Sequence, residues 1–157
     1  MLYPQGCLWQ SFCVQVNGYE ITPGADLSRA SLPGAVFEGA VLYRCRFDGA
    51  VLSGADFRGA RVGDGWDSYT DDCHYGPWFD GVDLTGANFA STSLYFTSFR
   101  GAIVRGADFS GVNLDHYYSL SADAFNEAPD LTGAVYDATT IWPDGLAPSG
   151  AVLSVED

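Results

Sequence analysis

This 157-residue sequence predicts an all-β solenoid, and three observations predict it. Large apolar residues recur at every fifth position over two long stretches. Small residues stand two places before them, and glycine recurs two places after them. A period of five matches neither the helix, at about 3.6, nor the strand, at about 2. It needs a unit that turns a corner every five residues, and strict internal periodicity of this kind marks a stacked coil. The 19 glycines argue the same way, against helices and for many tight turns.

The first stretch begins at Ala25 and divides into ADLSR, ASLPG, AVFEG, AVLYR, CRFDG, AVLSG, ADFRG and ARVGD. Its third places are Leu27, Leu32, Phe37, Leu42, Phe47, Leu52, Phe57 and Val62, and its first places are alanine or Cys45. The second stretch begins at Pro77 and runs PWFDG, VDLTG, ANFAS, TSLYF, TSFRG, AIVRG, ADFSG and VNLDH, centred on Phe79, Leu84, Phe89, Leu94, Phe99, Val104, Phe109 and Leu114. Glycine holds the fifth place in ten of these sixteen units, which suits a crowded or positive-φ corner. First and third places are therefore expected to point inward, and the second, fourth and fifth outward.

These units resemble the A(D/N)LXX pattern of the pentapeptide-repeat family over residues 25–62 and 77–116, and LTGAVYDATTIWPDG at 131–145 is similar to C-terminal segments of that family. The resemblance implies a right-handed quadrilateral β-helix with four pentapeptides per coil. Residues twenty apart then stack on one face. From Val62 to Phe79 the step is 17 rather than 5, so 12 residues are extra. If they bulge out and the next unit takes the next face, the interior ladders read Leu27-Phe47-Phe79-Phe99, Leu32-Leu52-Leu84-Val104, Phe37-Phe57-Phe89-Phe109 and Leu42-Val62-Leu94-Leu114. Phenylalanines then fill two opposite faces and aliphatics the other two. The step of 17 recurs from Leu114 to Leu131, and Leu131 and Tyr136 read as two further centres. The expected organisation is an N-terminal cap over 1–24, a solenoid of about four to five coils over 25–145, and a tail over 146–157. Two 12-residue insertions leave one corner, as loops at 63–76 and 115–128, the second with a short helix starting at Ser121.

Open coil ends need covers. VQVNGYEI at 14–21 reads as a hairpin on an Asn-Gly turn, lying on the first coil with Trp9 and Phe12. Tyr136, Ile141 and Trp142 are the expected plug at the other end. MLYPQGCLWQ has no basic region followed by an apolar run, and no stretch approaches the ~20 apolar residues of a membrane span. The expectation is a cytoplasmic protein with no membrane partner. Its four cysteines, without CxxC spacing, read as reduced thiols, with a Cys7–Cys13 bridge the pairing left open.

The net charge of −13 excludes a generic nucleic-acid binder, whose affinity comes from basic residues on phosphates. The resemblance implies another use of acidity: some family members mimic B-DNA and bind the type II topoisomerase gyrase, giving quinolone resistance or immunity to gyrase poisons. That role needs carboxylates along the rod. Residues 25–62 carry net +1 and residues 77–116 net −2, whereas the first loop carries −4 and the chain beyond His116 carries −7. Near-neutral walls and a rod of roughly 20–25 Å make gyrase modulation the alternative here, with a homodimer as the way to lengthen the rod.

The face before the loop corner carries Val41, Tyr43, Arg44, Arg61, Tyr95, Phe96, Asp115 and His116 at outward places. Beside it stand the loop residues Trp66, Asp67, Tyr69, Asp71, Asp72, His74, Tyr75, Trp78, Tyr117, Tyr118 and Phe125. Aromatics edged by acids resemble a surface for a partner protein; packing of the loop aromatics onto the wall is the other reading. The aspartates with Cys73, His74 and His116 lack calcium-loop spacing and are short of zinc ligands, so no metal is expected. Cys73 beside His74 does not by itself make a dyad, and no catalytic residue or cofactor is expected. A non-enzymatic protein-interaction module is the first reading. A gyrase modulator is the second, and a small-molecule-binding or biosynthetic protein using the loop-lined pocket is the third.

Overall fold

The computed structural model describes residues 14–62, 66–67, 72–73, 77–94, 97–112, 129–144 and 149–154, with the two-residue pieces 66–67 and 72–73 described as backbone. Six short strands run in chain order: β1 (Val14–Val16), β2 (Tyr19–Ile21), β3 (Trp66–Asp67), β4 (Asp72–Cys73), β5 (Val135–Tyr136) and β6 (Val152–Leu153). Among the described residues there is no helix.

Between the strands the pentapeptides stack by single parallel rungs at their second places. Face 1 joins Asp26, Arg46, Trp78, Ser98 and Asp130, and face 2 joins Ser31, Val51, Asp83, Ile103 and Val135. Face 3 joins Val36, Asp56, Asn88, Asp108 and Ile141, and face 4 joins Val41 and Arg61. Each rung uses both backbone groups of one residue: the Arg46 N–H donates to the Ala25 carbonyl at 3.0 Å and its carbonyl accepts from Leu27 at 2.8 Å. Partners within a stretch are 20 residues apart, as from Asp26 to Arg46, while Arg46 to Trp78 and Ser98 to Asp130 span 32. The order of faces 1 to 3 survives both long steps, so their third-place ladders follow the sequence register from Leu27 to Phe109.

The corners explain the glycines. Ala30 donates back to the Leu27 carbonyl at 3.0 Å and Ala50 to that of Phe47 at 2.8 Å, closing four-residue turns whose third residue is the fifth place of the unit. Gly34 and Gly54 take φ of 64° and 68° there, as a type II turn requires. Arg29, Arg44 and Ser91 hold the same left-handed geometry without being glycine, at φ 60°, 57° and 59°. A side chain there costs on the order of 1 kcal/mol.

Inside, phenylalanines form two columns. Phe47, Phe79 and Phe99 stack at 5.0 and 5.2 Å. Phe37, Phe57, Phe89 and Phe109 stack at 4.7, 4.4 and 5.2 Å, and Trp142 extends the column at 5.2 Å. Across the core the columns meet edge to face, Phe57 against Phe79 at 5.5 Å and 79°. Both geometries suit the ring quadrupole, so the core is ordered along the coil axis and across it.

The ends are built differently. β1 and β2 pair antiparallel about Asn17 and Gly18, whose φ values of 48° and 83° match the primed turn that hairpins favour. Their Val16 and Ile21 are buried with the core. At the other end the last face-3 rung joins Asp108 to Ile141, 33 residues on, because one extra residue enters the corner. Asp137 holds that corner: its Oδ1 accepts from the N–H of Gly106 at 3.2 Å and of Thr139 at 2.9 Å. A Cβ on Gly106 would lie 3.2 Å from Thr139 Oγ1. The shift corrects the expected plug: Tyr136 and Trp142 pack on the core, whereas Ile141 takes the outward second place and is exposed. β6 pairs parallel with β5, Val152 beside Val135 and Leu153 beside Tyr136. The expected Ser121 helix lies outside the described residues.

Candidate functional site

The three faces that carry second-place acids are occupied with their own backbone. Asp26, Asp56, Asp83, Asn88, Asp108 and Asp130 each turn a side-chain oxygen to the N–H two residues on, at 2.8–3.0 Å. This Asx geometry satisfies a donor at the entry to each corner and explains the Asp/Asn preference at the second place. The recurrent Asp-Leu-Ser/Thr triplets were the available sequence signal for it. Asp56 also takes the Arg58 guanidinium at 2.6 Å, and the Arg58 side chain beside it holds its carboxyl below the ordinary value. Asp26 and Arg46 are rung neighbours, yet Arg46 turns to Asp48 at 3.1 Å.

Face 4 differs. Val41 and Tyr43 stand at outward places but are buried, Tyr43 with 7% of its surface exposed. This corrects the expectation of an exposed Tyr43. The Arg61 guanidinium lies over its ring, 5.4 Å from the centroid, a cation–π contact on the wall. Arg44 and Arg61 are exposed beside it. Just after residue 62, β3 and β4 pair antiparallel, Trp66 opposite Cys73 and Asp67 opposite Asp72. This two-rung ribbon was not anticipated from the sequence, since neither WD nor DC carries strand periodicity. Trp78, where the chain rejoins the coil, is half exposed on face 1 between Arg46 and Ser98. Tyr69, Asp71, His74, Tyr75, Tyr95, Phe96, Asp115, His116, Tyr117, Tyr118 and Phe125 lie outside the described residues.

Among the described residues little else offers chemistry. Cys45 is buried, donates to the Thr22 carbonyl at 3.3 Å, and burial pushes its thiol up to about 11. It is protonated at neutral pH and is a packing residue rather than a nucleophile. Among the described residues the coil interior holds a cavity of about 10 Å³ near its C-terminal end, walled by Leu94, Phe99, Phe109, Leu131 and Trp142. That is room for one water and no ligand. No helix among the described residues is long and apolar enough to cross a membrane.

The family described as pentapeptide repeats matches in eight copies over residues 24–59 and 79–115, the stretches that form the rungs. The chain is a pentapeptide-repeat protein. No curated protein matches it. Among solved structures, this pentapeptide-repeat chain is similar to the pentapeptide repeat protein Rfr23 from the cyanobacterium Cyanothece 51142, at 24% identity and TM-score 0.48, over 74% of this chain and 63% of that one. It is similar also to alr5209 from Nostoc PCC 7120, at 23% identity and TM-score 0.41, over 82% and 84% of the two chains. A third is QnrB1, a plasmid-mediated fluoroquinolone resistance protein, at 20% identity and TM-score 0.36, over 85% and 67%. The chain thus spans under two thirds of the length of Rfr23.

Proposed function

We propose that this pentapeptide-repeat chain is a non-enzymatic interaction module that binds a partner protein through face 4 and two lateral loops at 63–76 and 115–128, both leaving one corner of the coil. One observation carries the reading. The rungs pass from Arg46 to Trp78 and from Val51 to Asp83 with the face order kept, so the stacking of these faces does not need residues 63–76. That intervening segment holds four aspartates with Trp66, Tyr69 and Tyr75. A scaffold that does not need such residues leaves them for contact with another molecule. Tyr43, under Arg61, then supports the wall from below rather than touching the partner, and the contacts fall to the loops with Tyr95, Phe96, Asp115 and His116.

Gyrase modulation is the second reading, favoured by the net charge of −13. Against it, the wall aspartates spend an oxygen on their own backbone, which leaves less of a continuous acidic line for a DNA-reading partner. A supercoiling assay with and without a quinolone separates the two, and protection at micromolar protein makes gyrase the partner. For the first reading, Trp66, Tyr69 and Tyr75 are replaced together by serine. Loss of a co-purifying partner with unchanged melting is expected. Retention of that partner, or collapse of the coil, overturns the site.

A further inference from the structure

Every rung of face 2 follows one pattern. Leu32 N–H donates to the Val51 carbonyl at 2.8 Å while Val51 N–H donates to that of Ala30 at 2.9 Å. The same pair of bonds joins Val104 to Val135 and Val135 to Ala102, both at 2.8 Å. β6 continues the pattern downward, Val152 N–H to the Ala134 carbonyl and Ser154 N–H to that of Tyr136, both at 2.7 Å. Upward it stops. The Leu153 N–H and the Ala151 carbonyl, the groups that reach the next strand in each lower rung, meet no partner among the described residues. The side chains show the same open step. Leu32, Leu52, Leu84 and Val104 are fully buried, whereas Leu153, in register over Tyr136, is 51% exposed and Val152 is 53% exposed.

We propose that the outer edge of β6 is a strand-addition site for an extended segment of a partner protein that is apolar over Leu153 and Val152 and carries arginine or lysine beside them. A donor and acceptor at strand spacing that meet no partner among the described residues call for backbone, and backbone that arrives extended, as in β-augmentation. The half-exposed Leu153 and Val152 call for an apolar residue on each side of that added strand. Charge sets the rest. From Pro129 to Asp157 the chain holds Asp130, Asp137, Asp144, Glu156 and Asp157 and no basic residue. Asp137 is held below the ordinary carboxylate range by hydrogen bonds from Thr139 and stays ionised, whereas Asp130, lowered chiefly by Thr132, already pairs with Arg100 at 3.5 Å. A basic segment is attracted to this end, while a second copy would set two acidic ends against each other. The site is remote in register from face 4, so the loop reading and this one stand or fall separately.

The test uses the full chain and a fluorescein-labelled, end-capped heptapeptide alternating valine and arginine, followed by anisotropy. Binding is expected, with a glutamate-for-arginine peptide and a peptide N-methylated along one edge each weaker by about tenfold or more. Leu153→Pro removes a donor that makes no bond among the described residues. It should weaken the peptide by about tenfold with melting unchanged. Exchange of the Leu153 amide, fast in the free chain, should slow when peptide is added, and this reading stands even if the proline variant folds poorly. Equal binding of the N-methylated peptide, no binding of any peptide at about 1 mM, or unchanged exchange at Leu153 overturns the proposal. So does a sedimenting dimer that Leu153→Pro converts to monomer, because a second copy would then hold the edge.

Discussion

Face 3 and face 4 carry the same five-residue grammar and use it differently. On face 3 the second places are Val36, Asp56, Asn88, Asp108 and Ile141, and the three polar ones cap the backbone of their own corner. On face 4 the outward places Val41 and Tyr43 are buried, and Arg61 lies on the tyrosine ring. A coil wall that needs only its own caps is a finished surface. One whose outward Val41 and Tyr43 are buried is not an ordinary solvated wall. On the proposed reading scaffold and function separate by face, and each prediction below presses on that separation.

The largest effect belongs to the scaffold. Phe57 is fully buried and stacked on both sides, 4.7 Å from Phe37 and 4.4 Å from Phe89. Phe57→Ala should cost about 3–5 kcal/mol in denaturant unfolding, enough to unfold much of the population. A loss under about 1 kcal/mol would mean that the columns do not carry the coil.

The caps come next. Asp56→Ala removes the acceptor for the Arg58 N–H and should cost about 1 kcal/mol, whereas Asp56→Asn should cost little, since Asn88 does the same work on the next rung. Equal losses in the two variants would assign the effect to the exposed Arg58 ion pair instead of the cap. Acid tests the caps together. Asp56, Asp130 and Asp137 all have carboxyls lowered from the ordinary value, chiefly by hydrogen bonds from Arg58, Thr132 and Thr139. A lowered folded value means the contribution is complete above the unfolded carboxylate range, near pH 4, and is lost as pH falls through the folded values. Melting temperature should therefore be level around neutrality and fall in acid, and a fall that begins above about pH 5 would point to other groups.

The register was legible because third-place residues report it directly: one large apolar residue every five positions fixes which face each unit takes, even across a 32-residue step. The corner at Asp137 was not legible. Ile141 and Trp142 are both large and apolar and adjacent, so either fits the centre, and only the bonds of Asp137 to Gly106 and Thr139 show which turns inward. The burial of Val41 and Tyr43 was equally hidden, because nothing in the five-residue pattern marks a covered outward place. The Asx caps were present in the sequence as Asp-Leu-Thr at 83–85 and 130–132, but read as wall charge until the bonds were seen.

The most direct test of the separation removes residues 65–76, which restores the step from Val62 to Phe79 to five. If the coil closes without that segment, the far-UV spectrum keeps its β character and the melting midpoint moves by less than about 5 °C, a change of about 1–2 kcal/mol for a chain of this size. Loss of cooperative melting, or a drop beyond about 10 °C, would contradict the account and make the segment part of the scaffold.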